Sequence, residues 1–243
     1  MKTFVQTDRG EFPKEMYLTY AYGAAKYFGY EIVKFEPDDF TGMKKECPVF
    51  CGVNQFPLVL KHLGVDYMPL TSYPVKLESY LRRKIEIAPL VSVKARVANG
   101  ETLFVKPRDS DRKYFNGQLI SEWPNRDFQL FKALQSNLDV FCCEPVEFKV
   151  EYRVFIHRGK ILDSRKYRGD FRLNIDYEVV EAAIKDFGGP VAYCLDFGLD
   201  SLGRTTLVEV TDANSLGHYG LDPIYFSNMI IDRWNQIVYG VEL

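Results

Sequence analysis

Histidine is scarce in this chain: His62, His157 and His218 are the only three, and they are scattered. There is no HExxH pair, and no nucleophile stands beside a base in a pattern that marks covalent catalysis. The five cysteines, Cys47, Cys51, Cys142, Cys143 and Cys194, are odd in number and lack paired zinc-site spacing, so they read as buried reduced thiols. Neither a GxxxxGK(S/T) phosphate loop nor a GxGxxG opening a helix after a strand occurs. No apolar run reaches the roughly 20 residues of a membrane span, and the start, MKTFVQTDRGEFPKEM, lacks the apolar block of a signal peptide. The expected location is therefore the cytoplasm. An excess of one charge is missing too. A formal net charge of -2 removes the electrostatic case for nucleic-acid or anionic-membrane binding.

What is present is an ordinary globular composition, 47% hydrophobic and 26% charged, in 243 residues. That length suits one large core or two compact lobes. The first third alternates between periods. KTFVQT, EIVKF and CPVFCGV read as strands. KEMYLTYAYGAAKYFG and NQFPLVLKHLG read as helices, the second capped by Asn54. This alternation predicts a small α/β unit with a mostly parallel sheet. A Pro- and Tyr-rich stretch, poor in strand pattern, follows and places a boundary near residue 75. Beyond it the pattern is strand-rich. KARVA and TLFVKP flank Asn99-Gly100 and read as a hairpin. The helix RDFQLFKALQSNL precedes the strand DVFCCEPV. A hairpin then turns at Arg158-Gly159, and a helix is capped by Asp176. The last helix opens at Asp222-Pro223, and its stripe of Phe226, Ile230, Trp234 and Ile237 suits core packing or a dimer.

The segment AYCLDFGLDSLGRTTLVEV reads as a second hairpin. With Leu202-Gly203 as the central residues of a two-residue turn, Ser201 pairs with Arg204 and Asp196 with Glu209. Directly opposed residues share a face, and like charges so placed cost roughly 0.2–1 kcal/mol. A hard divalent cation is the economical compensation. A longer turn would shift the register and send one acid to solvent.

Lys106 leaves the strand TLFVKP ahead of a polar loop containing Lys113 and Gly117, a pattern that suits a phosphate clamp or an exposed strand end. At Glu144-Pro145 the chain must leave its sheet, because proline cannot donate to a ladder. A strand that leaves beside Glu144 can present backbone groups to an adenine edge, a second carboxylate, Glu147 or Glu151, can accept ribose hydroxyls, and Arg153 can meet phosphate oxygens. A plain Glu–Arg surface pair is the alternative.

Taken in order, LRRKI, FVKP, KYFNG, CEPVEF, EYRVF, GKILDSRKYRG, CLDFGLDSLGRTTLVEV and SLGHYG resemble the ATP-grasp superfamily. The stretches are similar to a compact branch of it found in phage and bacterial genomes and inferred to be amidoligases. They cover roughly residues 81 to 223. The resemblance implies an α/β fold of α+β lobes: a small N-terminal α/β pre-ATP-grasp domain (1–75), an N-lobe (76–145) and a C-lobe with the metal site (146–243). It implies ATP and one or two magnesium ions as cofactors. The residues it implies for ATP are Arg83, Lys106, Lys113, Glu144, Glu151 and Arg153, with Arg153, Lys106 and Lys113 catalytic; Arg82 rivals Arg83 for its match. Asp196 and Glu209 match the metal-holding acids. The superfamily often carries Glu-x-Asn at the last metal position. This chain has Thr211 there, so Asp212 or Asn214 would have to supply the missing ligand.

The implied chemistry is attack of a substrate carboxylate on the γ-phosphate of ATP, then displacement of phosphate from the acyl phosphate by an amine. Positioning and charge neutralisation carry such a reaction. Small-molecule or peptide carboxylates and amines are the expected partners. Neither nucleic acid nor a membrane is expected, and an oligomer is compatible. The loop DANSLGHYG would border the reacting carboxylate, with Asn214, Ser215 and His218 as substrate contacts or as parts of a plain turn. A phosphotransferase and a catalytically degenerate nucleotide-binding or interaction module are the rival readings, the latter favoured by Thr211.

Overall fold

The computed structural model describes residues 1–108, 114–124 and 127–240, arranged around three sheets. The first is built from β1 (Lys2–Gln6), α1 (Glu15–Phe28), β2 (Glu31–Phe35) and β3 (Val49–Phe50), with α2 (Phe56–His62) following. Its order is β2-β1-β3 and both pairings are parallel, as the alternation of periods predicts. Helix α1 buries Tyr17, Tyr20, Ala21 and Ala24, one face of a 3.6-residue period, and ends at Gly29 with φ 68°. Helix α2 starts from Gln55, not Asn54, and no side chain caps it. Pro57 in its first turn leaves one fewer donor to satisfy.

The second sheet follows α3 (Glu78–Leu81). It comprises β4 (Glu86–Pro89), β5 (Leu103–Pro107), β6 (Gln118–Ile120) and β7 (Asp139–Cys143), in the antiparallel order β4-β7-β5-β6. Helices α4 (Leu90–Ala98) and α5 (Phe128–Gln135) connect its strands. Two expectations fail here. KARVA is the end of α4, not a strand, because Leu90, Val93 and Val97 recur at helical spacing and are buried together. Asn99-Gly100 then closes a helix: the Gly100 amide, at φ 93°, bonds the Val97 carbonyl at 3.0 Å. Helix ends and tight hairpins both call for positive φ, so the dipeptide alone does not separate them. Strand β4 lies in the stretch expected to be poor in strand.

The third sheet contains β8 (Val150–His157), β9 (Lys160–Gly169), β10 (Ala192–Leu199) and β11 (Thr205–Asp212), in the antiparallel order β11-β10-β8-β9. Helix α6 (Tyr177–Phe187) lies between β9 and β10, and α7 (Pro223–Tyr239) ends the described chain. Asp176 and Asp222 cap these helices, each accepting a backbone N–H two residues on. The β8–β9 turn uses Arg158 at φ 52° and Gly159 at φ 71°, the conformation such tight hairpins need.

One face of this sheet packs on α6 through Val154, Leu195, Phe197 and Leu207. The other packs on α1 and α7, where Phe155 and Cys194 meet Phe226, Ile230 and Phe50. Trp234, further along α7, is buried with Phe4, Val49 and Leu60. The apolar stripe of α7 is therefore core, and it ties the first sheet to the third. Each fully buried large apolar side chain there contributes about 1.5–3 kcal/mol. The close α1–α7 approach depends on Gly23, where a Cβ would lie 2.2 Å from both the Pro223 carbonyl oxygen and Ser227 Oγ. All five cysteines are buried free thiols. Among the described residues no helix is long and apolar enough to cross a membrane.

Candidate active site

Asp196 and Glu209 stand opposite each other on β10 and β11, as counting from the turn predicts. The route differs from the expectation. The pair does not grow from a two-residue turn at Leu202-Gly203. Asp200 through Arg204 form the loop, closed by the Asp200 N–H bonding the Arg204 carbonyl at 3.0 Å. The Asp200 carboxylate accepts from the Leu202 and Arg204 amides at 3.0 and 2.9 Å. From Leu199↔Thr205 the ladder runs to Phe197↔Leu207 and then slips by one residue. Val208 and Glu209 together face Asp196, a β-bulge that restores the opposition of the two acids.

Arg153 on β8 faces Asp196 from its other side. Its guanidinium forks onto the carboxylate, Nε to Oδ1 at 2.8 Å and Nη2 to Oδ2 at 2.7 Å, and both side chains are over nine-tenths buried. Burial pushes the Asp196 carboxyl up, while Arg153 pulls the other way. Glu151, two residues before Arg153, lies on the same face of β8. It accepts from the Tyr167 hydroxyl at 2.8 Å and from Arg168 at 2.9 Å. Burial, with Asp196 and Glu151 close by, pushes the Tyr167 hydroxyl well above the ordinary phenol range, so it stays a donor.

Lys106 comes from the second sheet. Its ammonium donates to the Glu209 carboxylate and, at 2.9 Å, to Ser72 Oγ. This contact closes the two antiparallel sheets over one row of charges: Lys106, Glu209, Asp196, Arg153. Tyr219 covers the Arg153 end of the row, its ring 4.6 Å from the Arg153 guanidinium and 5.2 Å from the Tyr167 ring.

The remaining predicted residues are dispersed. Arg83 lies against β11 and donates to the Leu207 and Val208 carbonyls at 2.8 and 2.9 Å. Glu144 is exposed just past β7, where the chain leaves its sheet. It borders a cleft of about 390 Å³ shared with Lys84, Glu86, Arg96 and Glu101. Asp212 is held by Arg233 of α7 through bonds of 2.8 and 2.7 Å. Asn214 donates to the Tyr67 hydroxyl at 2.5 Å. Ser215 ends the short 3-10 turn Ala213–Ser215. His218 accepts from the Gly220 amide at 3.0 Å, and its Nε2 is 3.8 Å from a Glu15 carboxylate oxygen. Thr211 pairs with Cys194 in the ladder. Lys113 lies outside the described residues. Among those described, no three His, Cys, Asp or Glu side chains gather closely enough to hold a metal ion unaided.

Sequence reasoning missed Ser72, Tyr167, Tyr219, Tyr67 and Arg233. Tyr219 sits between His218 and Gly220 in the polar, glycine-flanked loop, and Tyr167 lies within GKILDSRKYRG, 16 residues from Glu151 on the same hairpin. Ser72, Tyr67 and Arg233 reach their partners across longer stretches of chain and have no periodic signature.

Residues 80–229 match the family model described as ATP-grasp domain, R2K clade family 2. Among solved structures, the chain is similar to D-cycloserine synthetase DcsG, with a TM-score of 0.61 and 12% identity over 96% of this chain and 100% of that one. It is also similar to D-alanine–D-alanine ligase from Bacillus anthracis, with a TM-score of 0.55 and 12% identity over 98% of each chain. N5-carboxyaminoimidazole synthetase from Staphylococcus aureus gives a TM-score of 0.55 and 13% identity over 100% of this chain and 79% of that one. No curated protein matches the chain in sequence.

Proposed function

The chain belongs to the ATP-grasp family, and from that premise we propose that it is an ATP-dependent carboxylate–amine ligase. One observation carries the reading: two hard-oxygen acids, Asp196 and Glu209, are interleaved with two cations, Lys106 and Arg153, where two sheets meet. Such a row can bind a triphosphate and neutralise charge, and it offers no covalent nucleophile. That is the equipment phosphoryl transfer needs.

The lobes in this proposal are 1–75, 76–145 and 146–243, and the three sheets, spanning 2–50, 86–143 and 150–212, support them. Lys106 and Arg153 would hold the phosphates, Glu151 the ribose, and Glu144 the adenine edge. Asp196 and Glu209 fit magnesium by donor chemistry: the ion favours carboxylate oxygen and completes its octahedron with water and substrate phosphate, so two protein ligands suffice. Bound there, magnesium would supply charge neutralisation at the phosphates. Asp212, ion-paired to Arg233, instead secures the start of the DANSLGHYG loop. Arg153, clamped by Asp196 and stacked on Tyr219, is preorganised to meet negative charge developing on the transferring phosphoryl group. A substrate carboxylate would take that group, and an amine would then displace phosphate to form an amide. The buried free thiols suit a reducing compartment such as the cytoplasm.

The test is release of ADP and phosphate with Mg-ATP against a panel of carboxylates and amines, read by mass spectrometry. An amide conjugate formed with free phosphate supports the ligase. A stable phosphorylated product would establish the phosphotransferase instead. Tight Mg-ATP binding without turnover on any pair would favour the degenerate module that Thr211 suggests.

A further inference from the structure

Strand β11 is the outer edge of its sheet, and the element against that edge is the segment from Ser72 to Arg83. The Val210 N–H donates to the Ser72 carbonyl at 3.0 Å, and Arg82 Nε donates to the Thr205 carbonyl at 3.3 Å. Arg83 does something more specific. Its Nη1 donates to the Leu207 carbonyl at 2.8 Å and its Nη2 to the Val208 carbonyl at 2.9 Å. Along a regular strand, consecutive carbonyls point to opposite edges, and one guanidinium cannot reach both. A bulge turns two successive carbonyls toward one side and leaves them without ladder partners. The planar fork of arginine matches that pair of acceptors, and an ammonium does not.

The bulge decides which face Glu209 takes. Continued without it from Leu199↔Thr205, the ladder would put Val208 opposite Asp196. Glu209 would then face Leu195, on the side that packs against α6. A slip of one residue moves a side chain from one face to the other. The Arg83 guanidinium is held at the bulge by further contacts. Nη1 also donates to the Leu81 carbonyl at 3.0 Å, and the guanidinium carbon lies 5.9 and 6.0 Å from the centres of the Tyr73 and Phe148 rings. We propose that Arg83 is a positioning residue that clamps the Val208 bulge and so holds Glu209 opposite Asp196, and that it does not contact the nucleotide. This rests on the reading of Asp196 and Glu209 as the magnesium-holding pair.

The experiment uses the full chain and its Arg83→Met and Arg83→Lys variants. Calorimetry measures ATP affinity in EDTA and again with magnesium. Hydrogen exchange of residues 205–212 is followed in the nucleotide-free protein. Arg83→Met is expected to leave ATP affinity in EDTA within about twofold of the parent while the gain on adding magnesium falls at least tenfold. Lysine should not restore that gain, and exchange should rise across 205–212 in both variants. Deleting Val208 removes the extra residue and brings Glu209 opposite Asp196 in a regular ladder. In that background Arg83→Met should change the magnesium gain by less than twofold. Equal loss of ATP affinity with and without magnesium, or recovery by lysine, would overturn the proposal in favour of a direct phosphate contact. A parent protein with no magnesium-dependent affinity would instead refute the metal pair, while the exchange data would still report whether Arg83 clamps the bulge.

Discussion

Arg153 and Asp196, opposed on adjacent strands, bind through two parallel hydrogen bonds of 2.8 and 2.7 Å inside the protein. Replacing Arg153 with Met leaves a buried carboxylate without its counter-charge. Breaking a buried pair from one side costs about 3–5 kcal/mol, more than the pair itself is worth. Urea unfolding of Arg153→Met should show a loss in that range. Asp196→Asn leaves the buried Arg153 guanidinium without its counter-charge and turns an amide N–H2 toward one of its donors, so it should lose a comparable amount. A loss below about 1 kcal/mol in both variants would argue against a desolvated ion pair.

Lys106 and Glu209 make the contact between sheets with side chains 21% and 25% exposed, so water screens the pair. Its worth to stability is about 1 kcal/mol or less. Glu209→Gln should therefore unfold at nearly the parent temperature while magnesium-dependent ATP consumption drops about 100-fold or more. Unchanged consumption in this variant would remove Glu209 from the metal site.

Asp232 of α7 accepts from His157 Nε2 at 2.7 Å and from Arg158 Nε and Nη2 at 3.1 and 2.9 Å, tying the β8–β9 turn to the helix. Burial would push its carboxyl up, yet these bonds outweigh it and hold the group below the ordinary carboxylate range. A depressed carboxylate adds stability that is full above its unfolded value, about 4, and lost as pH falls through the folded value. Asp232→Asn should cost about 1–3 kcal/mol near neutrality. It should also flatten the fall in melting temperature below about pH 4. A parallel acid limb in parent and variant would contradict this.

Gly23 tests the α1–α7 approach. Alanine favours a helix interior by about 1 kcal/mol over glycine. Here the new methyl would sit 2.2 Å from a backbone oxygen, which cannot rotate away. Overpacking of this kind costs about 1–3 kcal/mol, so the clash wins. Gly23→Ala should lower the melting temperature by several degrees, and a rise would mean that the helices separate freely.

Local chemistry made much of the fold readable in the sequence. Helical spacing marks α1, α5, α6 and α7, the caps Asp176 and Asp222 mark two starts, and Arg158-Gly159 marks a hairpin. Each signal is spent within a few residues of where it is written. Where one dipeptide serves two structures, as at Asn99-Gly100, the local signal favours a hairpin and the burial of Leu90, Val93 and Val97 makes a helix. The opposition of Asp196 and Glu209 matches the count from a two-residue turn only because the loop from Asp200 to Arg204 and the bulge offset one another. Neither was countable along the chain, since a bulge is an energy balance among strands and the arginine that clamps it. Only the tertiary structure brought Lys106 to Glu209, Arg233 to Asp212 and Tyr219 over Arg153. Those meetings depend on how sheets and helices pack across long stretches of chain, and packing leaves no periodic trace at either partner.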